Sequence, residues 1–137
     1  MSNCVFCKII KGEVPAHKVY EDENVLAFLD IAPIAPGHTL VVPKNHFETF
    51  VETDDFELAN LITVSKKVGQ AMKQGLSVGG FNVCLNNDRV AGQIVFHTHL
   101  HVIPRVVDDE LKPWPGKKYP SEEEAENTAI KISKALE

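Results

Sequence analysis

The chain has 137 residues, 44% of them hydrophobic and 24% charged, with a formal net charge of -5 at pH 7. That length and balance suit one domain around one core and exclude two independent cores. The acidic charge excludes a general nucleic-acid binder, whose surface would be basic, but leaves room for a local pocket that holds one phosphate.

Met1 to Lys11 has no long apolar run behind a basic start, so the reading is no signal peptide. No stretch approaches the ~20 apolar residues that span a bilayer. The expectation is a cytoplasmic protein with no membrane or nucleic-acid partner. Cys4, Cys7 and Cys84 are too few, and odd in number, for a disulfide framework. Cys4-x-x-Cys7 alone leaves three readings open: a metal site, a redox pair, or two ordinary cysteines. Cys84 reads as core.

Residues 5–11 predict a short helix that ends at Gly12. Strand-like runs follow at His17–Tyr20 and Val25–Leu29, with an acidic EDEN turn between them. IAPIAPGH, broken by Pro33, Pro36 and Gly37, predicts a loop that includes His38. Thr39–Val42 reads as a strand stopped by Pro43. The clearest helix runs from about 54 to 74. Thr53 is its expected cap and Gly75 its terminator, with Leu58, Leu61, Ile62, Ser65, Val68 and Met72 on the buried face. A strand at Phe81–Leu85 and a polar loop, NNDRVAGQ, lead to a second strand with three histidines. LKPWPGKKYP predicts a rigid loop. Ser121 with Glu124 three residues on makes a capping box for a last helix, whose narrow apolar stripe is Ala125, Ala129, Ile132 and Leu136. About five strands, short connections and one long helix give an α+β fold with a mostly antiparallel five-stranded sheet, one long central helix and a C-terminal helix. One domain spans 1–137, with a core at about 4–105 and a C-terminal loop and helix at 106–137.

The segment FHTHLHVIPR, residues 96–105, carries the chemistry. A strand sends successive side chains to opposite faces, so His97, His99 and His101 share one face at ~7 Å intervals while Thr98, Leu100 and Val102 share the other. Such a row could be a solvated face, a metal site or a nucleophilic centre, since neutral imidazole is available near its reference pKa of ~6.5. The preceding loop favours phosphate chemistry. Gly92 admits a close backbone approach, Gln93 and the amides after it can donate, and Asn86 adds a side-chain amide.

AGQIVFHTHLHVIPR resembles the signature of the histidine triad family, His-φ-His-φ-His-φ-φ with φ apolar, preceded by Gly-Gln. KIIKGEVPAHKVYEDENVLAFLDIAPIAPGHTLVVPK resembles the N-terminal half of that family, so the likeness covers roughly residues 4–105. The resemblance implies a histidine-triad-type fold and cleavage of nucleotide conjugates at the α-phosphorus, the substrate being a small nucleotide. It makes His99 the nucleophile and sets His101 against the phosphate or leaving group. Asn86 and the backbone from Gly92 through Gln93 and Ile94 to Val95 would hold the phosphate or ribose region. Asp30 would take the ribose hydroxyls, and Phe6, Ile9 and Phe28 the base. Ile94 stands where the phosphoramidase branch has serine, while the HVIPR ending resembles the dinucleoside polyphosphate branch. A bacterial branch of the family, and the related galactose-1-phosphate uridylyltransferases, imply a structural zinc on Cys4, Cys7, His46 and His97. The resemblance also implies a homodimer, with Trp114 a candidate for the partner's pocket. His17 has no such support.

Overall fold

The computed structural model describes residues 3–137. In chain order the elements are α1 (Val5–Ile10), β1 (Lys18–Glu21), β2 (Val25–Leu29), β3 (Thr39–Pro43), α2 (Asp55–Gly75), β4 (Gly80–Cys84), β5 (Leu100–Arg105) and α3 (Glu122–Ala135), with a 3-10 turn at Arg89–Ala91. The strands form one sheet in the order β1-β2-β3-β5-β4, and all four neighbouring pairs are antiparallel.

β2 is apolar throughout, as is β3 apart from the buried Thr39, because the sheet is covered on both faces. On one face Val25, Ala27, Val41, Leu100 and Val102 pack against Leu61, Val64, Val68 and Met72 of α2. On the other, Leu26, Phe28, Leu40 and Val42 pack against Phe6 and Ile9 of α1. Alternate side chains of one extended strand feed opposite cores. α1 is short, so it leaves part of its face open, and the candidate site lies there. Among the described residues, no helix is long and apolar enough to cross a membrane.

Several predicted details differ. Thr53 does not cap α2. The N-cap is Asp54, which makes no side-chain cap bond, while Thr53 is buried and its hydroxyl bonds Thr49 O and Thr98 Oγ1, each at 2.7 Å. Ile62 is 56% exposed. It sits one residue, about 100° of helix, from Leu61, and Val64 and Gly69 take the buried places. Gly75 does not terminate α2 from outside. It is the last helical residue, Leu76 is the C-cap, and Ser77 adopts the positive φ of 56°. The Ser121 cap stands, with its hydroxyl accepting from Glu124 N at 3.1 Å. The predicted apolar stripe of α3, by contrast, buries none of its residues.

Gly69 marks a tight approach between α2 and the sheet. A Cβ there would lie 2.3 Å from the Phe81 ring. Gly69→Ala is therefore expected to lose stability. The clash costs about 1–3 kcal/mol, more than the ~1 kcal/mol that alanine gains in helix propensity. Urea unfolding checks this, and adding Phe81→Leu is expected to return part of the loss.

Candidate active site and metal centre

The histidine run is anchored before it is paired. β5 begins only at Leu100, so His97 and His99 precede the ladder rather than lie in a strand as expected. The reason is local. The pairing with β3 stops at Val41–Leu100, and Pro43, two residues further along β3, has no N–H to give. The segment stays extended by other bonds: Thr98 N donates to Phe47 O at 2.8 Å, and the Thr98 hydroxyl reaches Thr53. The alternation survives. Leu100 and Val102 enter the α2 core. His97 and His99 flank Phe6 on the opposite face at ring-centroid distances of 5.9 and 5.1 Å, and His101 follows 5.0 Å from His99.

Hydrogen bonds fix which nitrogen of each ring carries the proton. A backbone carbonyl only accepts, so a ring nitrogen bonded to one must donate. His99 Nδ1 lies 2.7 Å from His97 O, so Nδ1 holds the proton and Nε2 presents a lone pair. On His38 the logic reverses. Ile34 N donates to His38 Nδ1 at 3.1 Å, so the His38 proton sits on Nε2 and points at His101 Nδ1, 2.9 Å away. His101 Nδ1 is therefore an acceptor, and its Nε2 carries the proton. Neighbouring imidazoles thus differ: His99 offers a bare nitrogen and His101 an N–H. Burial pushes the pKa of His99 and His38 below the ordinary value, and that of His101 down to about 4, with the facing His99 and His38 adding to the effect at His101. All three rings are neutral at neutral pH.

His99 and His101 line a cavity of about 470 Å³ with Phe6, Ile9, Phe28, Asp30, Asn86, Gly92, Ile94 and Val95. That volume falls in the range of small-ligand sites. No lysine or arginine is among its described lining residues. Asp30 is held by its own turn, Oδ1 accepting from Ala32 N at 2.9 Å, and its Oδ2 lies 3.7 Å from His38 Nε2. Gly92 has a φ of 102° and packs so closely that an added Cβ would lie 3.3 Å from Asn86 Nδ2.

His97 turns away from this cavity. Its Nε2 donates to Pro43 O at 2.8 Å, so its Nδ1 is bare and points into a second cluster. There Nδ1 lies 3.1 Å from His46 Nδ1, 3.4 Å from Cys4 Sγ and 3.5 Å from Cys7 Sγ, and Cys7 Sγ is 3.4 Å from His46 Nδ1. All four donor atoms lie within 4.8 Å of one another. A zinc ion with Zn–S of ~2.3 Å and Zn–N of ~2.0–2.1 Å spaces tetrahedral donors at roughly 3.3–3.8 Å, close to these distances. Two imidazole nitrogens facing at van der Waals range, one of them a forced lone pair, suit a shared cation. The cluster fits a closed four-ligand site. The donor atoms of His97, His99 and His101 do not converge on one point, which removes the geometric basis for a metal held by the row.

One expected site residue is placed differently. Gln93 does not line the cavity. Its Nε2 donates to Glu48 O and Val95 O, its Oε1 accepts from Asp88 N, and its own amide bonds Asp88 O. It clamps the loop that carries Gly92. Cys84 is exposed rather than core, on the outer edge strand beside His101, because β4 ends the sheet. Trp114 is 92% exposed, and His17 is exposed and lines no described site. His38, predicted as a loop residue, does lie between strands but is buried against His101. Its parity was the signal: it is two residues before Leu40, so it shares the face of Leu40 and His101.

The HIT domain family model matches residues 11–107. The chain is 58% identical over 106 residues to a HIT-like protein of Methanocaldococcus jannaschii, covering 77% of this chain and 81% of that one. It is 42% identical over 110 residues to the Arabidopsis thaliana adenylylsulfatase HINT3, covering 80% and 56%. Among solved structures it resembles SMU.412c of Streptococcus mutans, with a TM-score of 0.94, 41% identity and coverage of 100% and 87%. It also resembles a zinc-bound histidine triad family protein of Mycobacterium smegmatis, with a TM-score of 0.78, 38% identity and 99% coverage of each chain.

The burial of His101 has a stability consequence. The fold holds its pKa at about 4, against ~6.5 in an unfolded chain. Between those values the unfolded state binds more protons, so the contribution is whole above pH 6.5 and is lost as pH falls toward 4. His101→Gln has no such group. The Tm difference, wild type minus variant, is expected to be flat above pH 6.5 and to shift in favour of the variant between 6.5 and 4. A difference that stays constant contradicts this.

Proposed function

The chain belongs to the HIT domain family, and we propose that it hydrolyses nucleotide conjugates at the α-phosphorus through a covalent nucleotidyl group on His99. The observation that carries this reading is the opposed protonation of His99 and His101. One buried ring is fixed with a bare Nε2, its neighbour with an Nε2–H, and both border one cavity.

The reaction divides into two displacements. His99 Nε2 attacks phosphorus. The N–P bond forms, and the bond from phosphorus to the leaving atom breaks, its electron pair going with the leaving group. His101 Nε2–H hydrogen-bonds the phosphate or the leaving atom as charge gathers there. Water then attacks phosphorus, the N–P bond breaks, and its pair returns to His99. One water proton ends on the leaving group, so the products are a nucleoside monophosphate and the protonated leaving group. His99 Nδ1–H stays on His97 O throughout. Positive charge that develops on the ring during the covalent stage therefore meets a carbonyl dipole.

Asn86 and the backbone beside Gly92, Ile94 and Val95 bind the phosphate, Asp30 the ribose hydroxyls, and Phe6, Ile9 and Phe28 the base. The substrates are AMP-type phosphoramidates, aminoacyl adenylates or dinucleoside polyphosphates. Support comes from the Arabidopsis relative, an adenylylsulfatase. Cys4, Cys7, His46 and His97 hold a structural zinc, supported by their geometry and by the zinc-bound mycobacterial neighbour. When bound, the ion supplies cross-linking rather than an activated water, because the protein fills all four positions. The protein works as a homodimer in the cytoplasm.

His99→Ala is expected to cut kcat by on the order of 10³–10⁶-fold while AMP affinity changes only a few-fold. A variant that binds AMP and still turns over contradicts the nucleophile; a wild type that binds AMP without turnover makes the protein a nucleotide-binding module. For the metal, purified protein is expected to carry one zinc per chain. Cys7→Ser is expected to lose it and to melt at lower temperature, whereas His99→Ala keeps it; metal analysis and thermal melts read both.

A further inference from the structure

α3 has 14 residues, and none of them is buried among the described residues. Isolated helices shorter than about 12–15 residues are marginal in water, so capping alone does not account for it. Ile132 and Leu136 are 61% and 83% exposed. The chain is last anchored where Arg105 Nη2 donates to Leu111 O at 3.0 Å and Arg105 pairs with Asp109. From Lys112 to Ser121 every residue is exposed. Those ten residues reach at most ~33–36 Å, enough to cross to a neighbouring molecule.

The sequence of α3 says what would cover it. At 100° per residue, Glu122, Ala125, Glu126, Ala129, Ile132 and Leu136 share one face. That face is acidic at its N-terminal end and apolar at its C-terminal end. The outer face of α2 carries the reverse pattern. Phe56, Ala59 and Ile62 are exposed near its start, and Lys66 and Lys73 near its end. Set antiparallel, the two helices match in one register. Glu126 meets Lys66, Ala129 meets Thr63, Ile132 meets Ala59 and Leu136 meets Phe56, while Glu122 meets Gln70, with Lys73 about one turn further on. Glu126 and Ile132 lie ~9 Å apart along the α3 axis, and their counterparts Lys66 and Ala59 lie ~10 Å apart along α2.

We propose that α3 is an exchanged arm, seated antiparallel on the outer face of α2 in a second copy of this chain. A two-fold axis makes the contact reciprocal, each copy giving one arm and receiving one. The partner is identified by the match of charge and apolar surface, and the inference stands apart from the chemistry at His99.

Charge reversal in trans tests it with full-length chains. One chain carries Glu122→Lys and Glu126→Lys, the other Lys66→Glu and Lys73→Glu. Amide hydrogen exchange is followed over residues 122–136. In the wild type, exchange is expected to be slowed about tenfold or more, the effect of roughly 1.4 kcal/mol of packing. Each variant alone sets like charges together and is expected to lose that protection. Mixing the two restores opposite charges at both contacts, and protection is expected to return in both chains. Absence of protection in the wild type overturns the proposal, as does protection that neither reversal changes. Loss in both variants without rescue on mixing also overturns it, since that result puts α3 on the α2 of its own chain.

Discussion

The site depends on the way His97 is tied down. Its ring donates to Pro43 O, its other nitrogen faces two thiols and His46, and its carbonyl accepts from His99. Each bond leaves the next with one choice. The Pro43 carbonyl forces the His97 proton onto Nε2, which frees Nδ1 for the cluster. The cluster links α1 to the histidine segment. The His97 carbonyl then forces the His99 proton onto Nδ1, which leaves Nε2 as the free nitrogen. A proline with no N–H to give β5 thus sits at the start of a chain of constraints ending at the bare nitrogen of His99.

Burial does the second part. A strand edge open to water would leave the imidazoles partly protonated near neutral pH. Packing against α1, through Phe6, removes that water and holds His99 and His101 neutral. The cavity has no fixed cation among its described lining residues. In the proposed reaction phosphate charge is therefore met by N–H dipoles, which are already oriented and do not reorganise as charge moves. Gln93 illustrates the cost of building such a loop. Its side chain is spent on the backbone of its neighbours, so that Gly92 and the residues after it keep their place.

Much of this was legible in the sequence. The boundaries of β1 to β4 fall within a residue of their predicted places because the apolar runs are bounded by Pro, Gly and acidic turns, whereas β5 starts at Leu100, after two of the histidines expected in it. The face shared by His97, His99 and His101 followed from alternation alone. What was hidden depends on tertiary partners. Thr53 looks like a helix cap, yet it is drawn inward by Thr98, 45 residues away. His38 looks like a loop residue until its parity is set against His101 across β3 and β5. Gln93 looks like a phosphate donor, and only the packed loop shows that its donors are used. The Cys4–Cys7 pair had no specific partner in its own neighbourhood of sequence. Its other two members lie 39 and 90 residues away from Cys7.

In the proposed reaction His99 Nε2 is the atom that bonds phosphorus. Mass spectrometry of protein quenched during turnover of an adenylated substrate tests it directly. The expected result is a peptide containing residues 96–105 that carries one nucleotidyl group, fragmenting to His99, and that disappears as substrate is exhausted. Sustained turnover with no modified peptide, or a group found on His101 instead, would contradict His99 as the nucleophile.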